Sequence, residues 1–310
     1  MTAPDWLAKA QAAAGAQPQA RTNSVPGRLL LVDGDALAYT CGGADSPGQA
    51  RANLINHVEQ AQRASGASNT AILVTARSSH KGHRYAIARA KPYQGQRSSG
   101  RRPEQWEFLR SVLELDNVPC APVIVTATAE ADDLFAAYSL QHNPHNVVIH
   151  TQDKDMRMVP GWHLTWSDMR MVYLPDGVYE MAFNDKLYGR KWFWMQMLMG
   201  DTADNIPGLP RMTKPDGKQA LCGEATAAKL LAGTTTCEEA RFVVRGQYEA
   251  YYQTEQDPWA GLEAMLEQAI LLWMRQDPND LFDVCSPGNP MYGIPFDLMD
   301  RITSRLITQQ

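Results

Sequence analysis

Leu29-Leu30-Leu31-Val32-Asp33-Gly34-Asp35 is a short apolar run halted by an acidic turn. Four apolar residues bounded by a turn are too few for a helix and read as a strand buried on both faces. The same form returns downstream as Ala71-Ile72-Leu73-Val74, Pro122-Val123-Ile124-Val125 and Val147-Val148-Ile149-His150. Helix-prone stretches separate these runs, from Pro47 to about Ala64, from Pro103 to about Leu115 and from Glu130 to about Leu140. Strands alternating with helices imply right-handed βαβ crossovers, and so an α/β fold with a mostly parallel central sheet and flanking helices. Two short β candidates follow, His163 to Trp166 and Val172 to Pro175, with a turn at Pro175-Asp176-Gly177. From Asp185 the pattern is mostly helical. The expected division is a flexible Ala/Gln/Pro-rich leader over 1–26, an α/β core over 27–183 with a basic segment at 77–103, and a helical C-terminal region over 184–310.

The carboxyl ends of strands in such sheets form the ligand crevice, and that is where this chain places its acids. Asp33 and Asp35 follow the first run, Glu130, Asp132 and Asp133 lie beyond the third, and Asp153 and Asp155 flank Lys154 beyond the fourth. A further pair, Asp201 and Asp204, follows the apolar run Trp192 to Met199; their spacing of three lets both carboxylates reach one ion. Each cluster has an ordinary reading as well. Asp33-Gly34-Asp35 could be a strand-ending turn, Glu130 to Asp133 could complement a helix dipole, Lys154 could pair with its neighbours, and Asp201 could cap a helix. Adjacent carboxylates raise each other's pKa unless a cation compensates, so clusters gathered at one sheet edge point to divalent metal. Hard cations such as Mg²⁺ and Mn²⁺ take oxygen ligands, and two of them about 4 Å apart suit phosphodiester hydrolysis. The seven histidines form no H-x-x-x-H pair that would suggest zinc. An aspartyl-nucleophile phosphatase would want Asp-x-Asp-x-Thr/Val, and Ala36-Leu37 stands there instead.

With 310 residues, 44% hydrophobic and 20% charged, the composition is that of a globular protein with an ample core. The net charge of −5 argues against a general nucleic-acid binder, but it hides an asymmetry. Between Arg77 and Arg110 stand nine Lys or Arg against two acids, which is the arrangement expected where a polyanion is held beside bound cations. Five scattered cysteines without a C-x-x-C pair suggest a reducing compartment. No signal-like or long apolar segment suggests export or a membrane, so the expected location is cytoplasmic, the host cytoplasm for a phage-encoded chain.

Read together, VDGDALAY, EADD, TQDKDM and GDTADNIPGLP resemble the 5′-nuclease family, the structure-specific 5′–3′ exonucleases and flap endonucleases of bacteriophages and cells. GDTADNIPG is the most specific of the four, and the resemblance covers roughly Leu29 to Leu231, nearest the stand-alone phage branch. It implies a PIN-like core with a helical arch, and two divalent ions (Mg²⁺ or Mn²⁺) held by Asp33, Glu130, Asp132, Asp133, Asp153, Asp155, Asp201 and Asp204. In the arch it implies Lys81 and Arg84 on the scissile phosphate, Lys91 and Arg97 as further grips, and Tyr93 stacking on a terminal base. A helix–turn–helix at about 200–231 would bind the duplex backbone through Gly208, Gly223, Thr226 and Lys229, beside a K⁺ ion. The implied activity is 5′–3′ exonucleolytic, with flap endonuclease and RNase H-like hydrolysis, acting on DNA duplexes, flaps or RNA–DNA hybrids in phage replication or recombination.

Three departures from the family pattern stand out. Thr75, Ala76 and Arg77 follow the second run where many relatives have an aspartate, Gln94 replaces an arch lysine, and residues 210–221 form an insertion beside the expected K⁺ site. The rival readings are a non-catalytic structure-specific DNA-binding protein of the same fold and another PIN-like metal-dependent ribonuclease. No protein partner is implied, and residues 232–310 carry no role beyond packing.

Overall fold

The computed structural model describes residues 24–209, 212–213, 217–252 and 254–307. Nearly all of the expected leader lies outside the described residues, as does part of the 210–221 insertion and with it the question of the K⁺ site.

Six strands form the central sheet in the order β3-β2-β1-β4-β5-β6. These are β1 (Val25–Asp33), β2 (Ala67–Thr75), β3 (Val123–Thr126), β4 (Val147–His150), β5 (Gly161–Leu164) and β6 (Met171–Leu174). All neighbours pair in parallel except the antiparallel β5 and β6. Side chains alternate across the pleat, so Leu31, Leu73 and Ile149 enter one core while Leu30, Val32, Ile72, Val74 and Val148 enter the other. Burial on both faces explains why these strands read as unbroken apolar runs.

The second face is covered by α1 (Gly34–Cys41), α2 (Pro47–Ser65) and α4 (Trp106–Glu114). In α2 the Ser46 hydroxyl caps Gln49 N at 3.2 Å, Pro47 opens the first turn, and Gly66 closes the helix at φ 65°. The first face carries α5 (Ala131–Gln141) and most of the C-terminal helices, α6 (Arg190–Met199), α8 (Cys237–Tyr252), α9 (Ala260–Leu272) and α10 (Phe296–Ile307). Helix α6 is buried nearly all round, Trp192 through Leu198 included, as its continuous apolar sequence requires. Short α7 (Glu224–Leu230) lies between α6 and α8 in sequence, and the one-turn α3 (Arg84–Ile87) sits in the basic segment. A hairpin of β7 (Met181–Phe183) and β8 (Lys186–Tyr188), absent from the sequence expectation, leads into α6. A two-residue pair, β9 (Met212–Thr213) and β10 (Gln219–Ala220), closes the insertion.

The chain runs outward from β1 through β2 to β3, then returns to β4 on the other side of β1 and continues to β5. This reversal opens a crevice beyond the carboxyl ends of β1 and β4, the position at which open α/β sheets bind ligands.

Candidate active site

Asp33 ends β1 and caps α1, accepting from Ala36 N at 2.9 Å, while Thr151 at the end of β4 donates to its other oxygen at 2.6 Å. Two residues on, Thr151 Oγ1 accepts from Asp153 N at 2.9 Å, and Asp153 accepts from Asp155 N at 2.7 Å. One hydroxyl thus ties the two strand ends across the switch point. Burial, reinforced first by Asp35, pushes Asp33 up to about 7; burial, with Asp204 and Asp201 adding, raises Asp153 to about 6. Burial together with the charges of Asp153 and Asp33 drives Asp132 well above the ordinary carboxylate range. Among the described residues no cation stands within ion-pair distance of Asp33, Asp132 or Asp153. These three carboxylates share one uncompensated field, which suits a hard divalent cation.

The other acids have protein cations beside them. Lys154 Nζ lies 2.7 Å from Asp201 and 3.7 Å from Asp155, whose Oδ1 also accepts from Gln196 at 2.6 Å. Burial and then Asp153 raise Asp155 well above its ordinary value. Glu130 lies 3.3 Å from both Lys81 Nζ and Arg84 Nη1, and Arg97 pairs with Asp204. Among the described residues, no three acidic, histidine or cysteine side chains, the trio included, converge closely enough to clasp one ion.

The basic segment folds over the carboxylates with little helix, one turn at α3 and two 3₁₀ turns at Lys81–His83 and Gly95–Ser99. Lys81 and Arg84 therefore do not share a helical face: Lys81 is left-handed at φ 51° and Gly82 at φ 60°. Lys81 Nζ bonds the Gln94 amide oxygen, and Gln94 Nε2 donates to Asp204 at 2.9 Å. Gln94 thus carries the Lys81 ammonium at the position expected to hold a lysine.

Three residues expected at the chemistry serve the scaffold instead. Arg84 is fully buried and grips Asp133 with two bonds of 2.8 Å, so it cannot reach a phosphate. Asp133 is no ligand for the same reason: despite burial, Arg84 and Arg275 pull it below the ordinary carboxylate range. Tyr93 is 4% exposed, its hydroxyl donating to Glu130 at 2.8 Å and Asp204 at 3.0 Å, which leaves no ring face for a base. The missing strand-end aspartate also has a physical replacement. Thr75 Oγ1 accepts from Ala131 N at 2.9 Å, and its carbonyl accepts from Arg110, which pairs with Asp35. Arg110 gives Asp35 the ion-pair partner that the trio lacks, although the Asp35 charge still adds to the field on Asp33.

Of the expected duplex contacts, Lys91, Gly223, Thr226 and Lys229 are exposed, the last three spaced by three along the start and face of α7. Gly208 differs. Its N–H donates to Gln268 at 3.0 Å, and at φ 60° a Cβ would stand 2.3 Å from Gly200 N. The glycines of GDTADNIPG allow two backbone segments to touch, and the Gly208 amide is not free for phosphate.

A cleft of about 520 Å³ is walled by Asp33, Asp153, Asp201 and Asp204, with Arg97 and the half-exposed Tyr39 at its margin. No family model matches the chain. Its structure, however, aligns over 91% of its length and 98% of the neighbour's with bacteriophage T5 5′-exonuclease carrying zinc, at a TM-score of 0.56 and 18% identity. The chain has the T5 5′-exonuclease fold. A T5 flap endonuclease variant in a pseudo-enzyme–product complex with DNA and metal ions aligns equally far, at a TM-score of 0.56 and 17% identity. Over 133 residues the sequence is 29% identical to DNA polymerase I of Rhizobium leguminosarum, covering 41% of this chain and 11% of that polymerase's length.

Within this T5 exonuclease-like fold, sequence reasoning missed Lys154, Thr151, Tyr39 and Arg110. Lys154 looked like a turn lysine salting its neighbours; only the approach of the Gly200–Gly208 loop brings Asp201 to it. Tyr39 carried a usable signal, because a tyrosine six residues beyond Asp33 on a helix starting there must lie within two turns of the strand end.

Proposed function

We propose that the chain is a divalent-metal-dependent 5′-nuclease that hydrolyses phosphodiesters from the 5′ ends of DNA duplexes, with flap endonuclease and RNase H-like activity at the same site. The observation that carries this reading is the uncompensated trio Asp33, Asp132 and Asp153 at the sheet's switch point, under a basic segment and beside the exposed face of α7. Those three, which do not clasp an ion as they stand, would draw together on the first, and Asp155, Asp201 and Asp204 with Glu130 would serve a second as Lys154, Arg97 and Lys81 turn to substrate. When bound, a pair of Mg²⁺ or Mn²⁺ ions supplies a nucleophile at neutral pH and charge stabilisation for the leaving 3′-oxygen. Arg97 lines the cleft and, with Lys81 carried on Gln94, would grip the scissile phosphate. Tyr39 offers the exposed ring for base stacking that Tyr93 cannot. Lys91 on one side and Gly223, Thr226 and Lys229 on the other would follow the duplex backbone, fixing register without reading sequence.

The test uses 5′-labelled and 3′-labelled duplex, flap, hybrid and circular substrates in Mg²⁺ or Mn²⁺. Mononucleotide released from the 5′ end, with circles untouched, is the expected result. No product in either metal, with duplex still bound, would mean a structure-specific binder, and cleavage confined to single-stranded RNA would mean a PIN-like ribonuclease.

A further inference from the structure

The C-terminal region bonds the basic segment at both of its feet. At the first, Arg275 Nη2 donates to Gly82 O at 2.7 Å, and the Arg84 guanidinium donates to Leu271 O at 3.3 Å and Trp273 O at 3.0 Å. At the second, Glu267 on α9 accepts from Arg89 N at 3.0 Å and Ala90 N at 2.9 Å through one oxygen. Its other oxygen accepts from Arg305 on α10 at 2.5 Å, and Arg305 also donates to Ile87 O at 2.8 Å and to Glu263 at 2.7 Å. Glu267 and Arg305 are each 4% exposed.

These bonds meet backbone groups that have no helical partner. Helix α3 ends at Ile87, so the carbonyl of Ile87 and the amides of Arg89 and Ala90 belong to no ladder and need outside partners if the chain is to hold one path. Three residues beyond Ala90 comes Tyr93, then Gln94, and these set the inner surface of the segment against Glu130 and Asp204. Lys81, which rests on Gln94, precedes the first anchored carbonyl by one residue. The position of Lys81 over the carboxylates is therefore determined at two places by residues more than 170 positions away in sequence.

We propose that Glu267, held by Arg305, is a positioning residue of the nuclease site: through the Arg89 and Ala90 amides it sets where Lys81 and Gln94 stand relative to the carboxylate crevice. The inference rests on the 5′-nuclease reading and gives the C-terminal helices a part in turnover. Glu267 touches neither the crevice nor α7, so its effect falls on the rate of the chemical step and not on duplex affinity. Displacement of a reacting group by about 1 Å costs up to about a hundredfold in rate, and loss of one anchor should cost roughly tenfold.

The experiment compares the full-length chain with its Glu267→Leu variant, which keeps much of the volume but offers no acceptor to the Arg89 and Ala90 amides or to Arg305. Single-turnover cleavage is measured in Mg²⁺, duplex affinity in Ca²⁺, and backbone hydrogen exchange over residues 85–94. The expected result is a roughly tenfold slower rate, affinity within about twofold of wild type, and faster exchange in that segment. An unchanged rate overturns the proposal. So does a rate loss matched by an equal loss of affinity, which would mark a general loosening. Should Glu267→Leu fail to fold, Arg305→Lys keeps the charge beside Glu267 while losing the fork that reaches Ile87, and the same three readouts decide. Failure of the wild-type chain to cleave sinks the nuclease reading, whereas hydrogen exchange still decides the anchoring.

Discussion

Arg84 and Asp133 are both fully buried and joined by two bonds of 2.8 Å. Burial alone would discharge them, yet Asp133 holds Arg84 well above its usual range and Arg84 holds Asp133 below its own, so the pair stays ionised. Asp133 also accepts from Arg275 N at 3.0 Å and Glu130 N at 3.3 Å. Asp133→Ala therefore takes both short bonds from a buried guanidinium, leaving it Glu130 at 3.3 Å and the carbonyls of Leu271 and Trp273, and leaves two amides without their acceptor. Breaking a buried pair from one side costs about 3–5 kcal/mol, and an orphaned buried amide adds about 1 kcal/mol or more. The expected loss is about 4–7 kcal/mol, enough to unfold many domains outright. Arg84→Met, which leaves Asp133 its two amide donors, should lose about 3 kcal/mol. In Arg84→Met/Asp133→Leu both charges are gone, and the cost should fall short of the sum of the single losses by about 2 kcal/mol or more. Urea denaturation followed by circular dichroism reads all four proteins, with an unchanged slope confirming comparable states. An Arg84→Met protein that unfolds at the wild-type urea concentration yet has lost turnover would refute the reasoning, because the guanidinium would then be acting on substrate.

Asp153→Ala and Asp33→Asn should each abolish Mg²⁺-dependent cleavage while duplex binding in Ca²⁺ persists; unchanged turnover in both would sink the metal assignment. Gly200→Ala places a Cβ 2.2 Å from Ile206 O at φ 72° and should cost about 3 kcal/mol or more, read as a lowered urea midpoint. Lys229→Ala should weaken duplex binding evenly across sequences and reduce the salt slope by about one, as measured by titration at several salt concentrations. Burial lowers both His150 and His163 to about 4, with Leu164 O holding a ring nitrogen of His150 and Val159 O one of His163. Since the unfolded chain binds those protons first, the two histidines stabilise fully above about pH 6.5, and their contribution, up to about 3 kcal/mol each, is lost as pH falls toward 4. Asp33 and Asp153, raised to about 7 and 6, act in the opposite sense. The difference between the wild-type and His163→Gln stability profiles isolates the histidine share, and parallel profiles from pH 7 to 4 would refute it.

What could be read from the sequence divides by the range of the interactions involved. Strands β1, β2 and β4 were legible because burial on both faces demands apolar runs, β3 because it repeats the apolar run although Val125 is exposed at the sheet edge, and a sheet of such runs separated by helices has few topologies open to it. Asp33 and Asp153 followed directly, since a strand's end locates its next residue within a few ångströms of the crevice. Arg84 and Tyr93 were misplaced because a basic, aromatic segment looks the same whether it faces substrate or its own acids. The decision between those depends on Asp133, Trp273 and Leu271, and no local pattern links residue 84 to residue 271. The same holds for Gly208, whose φ of 60° is a glycine's role in any turn, but whose amide is taken by Gln268 from α9. Charge neutralisation is likewise a property of the folded chain. Eight acids were candidates in sequence, and only Arg84, Lys81 and Arg97, arriving from elsewhere, with Lys154 turned from its neighbours to Asp201, leave Asp33, Asp132 and Asp153 as the trio without an ion-pair partner. A binding site for a cation is in this sense what remains after the protein's own cations have been assigned, so the carboxylates that matter most are those the structure leaves unpaired.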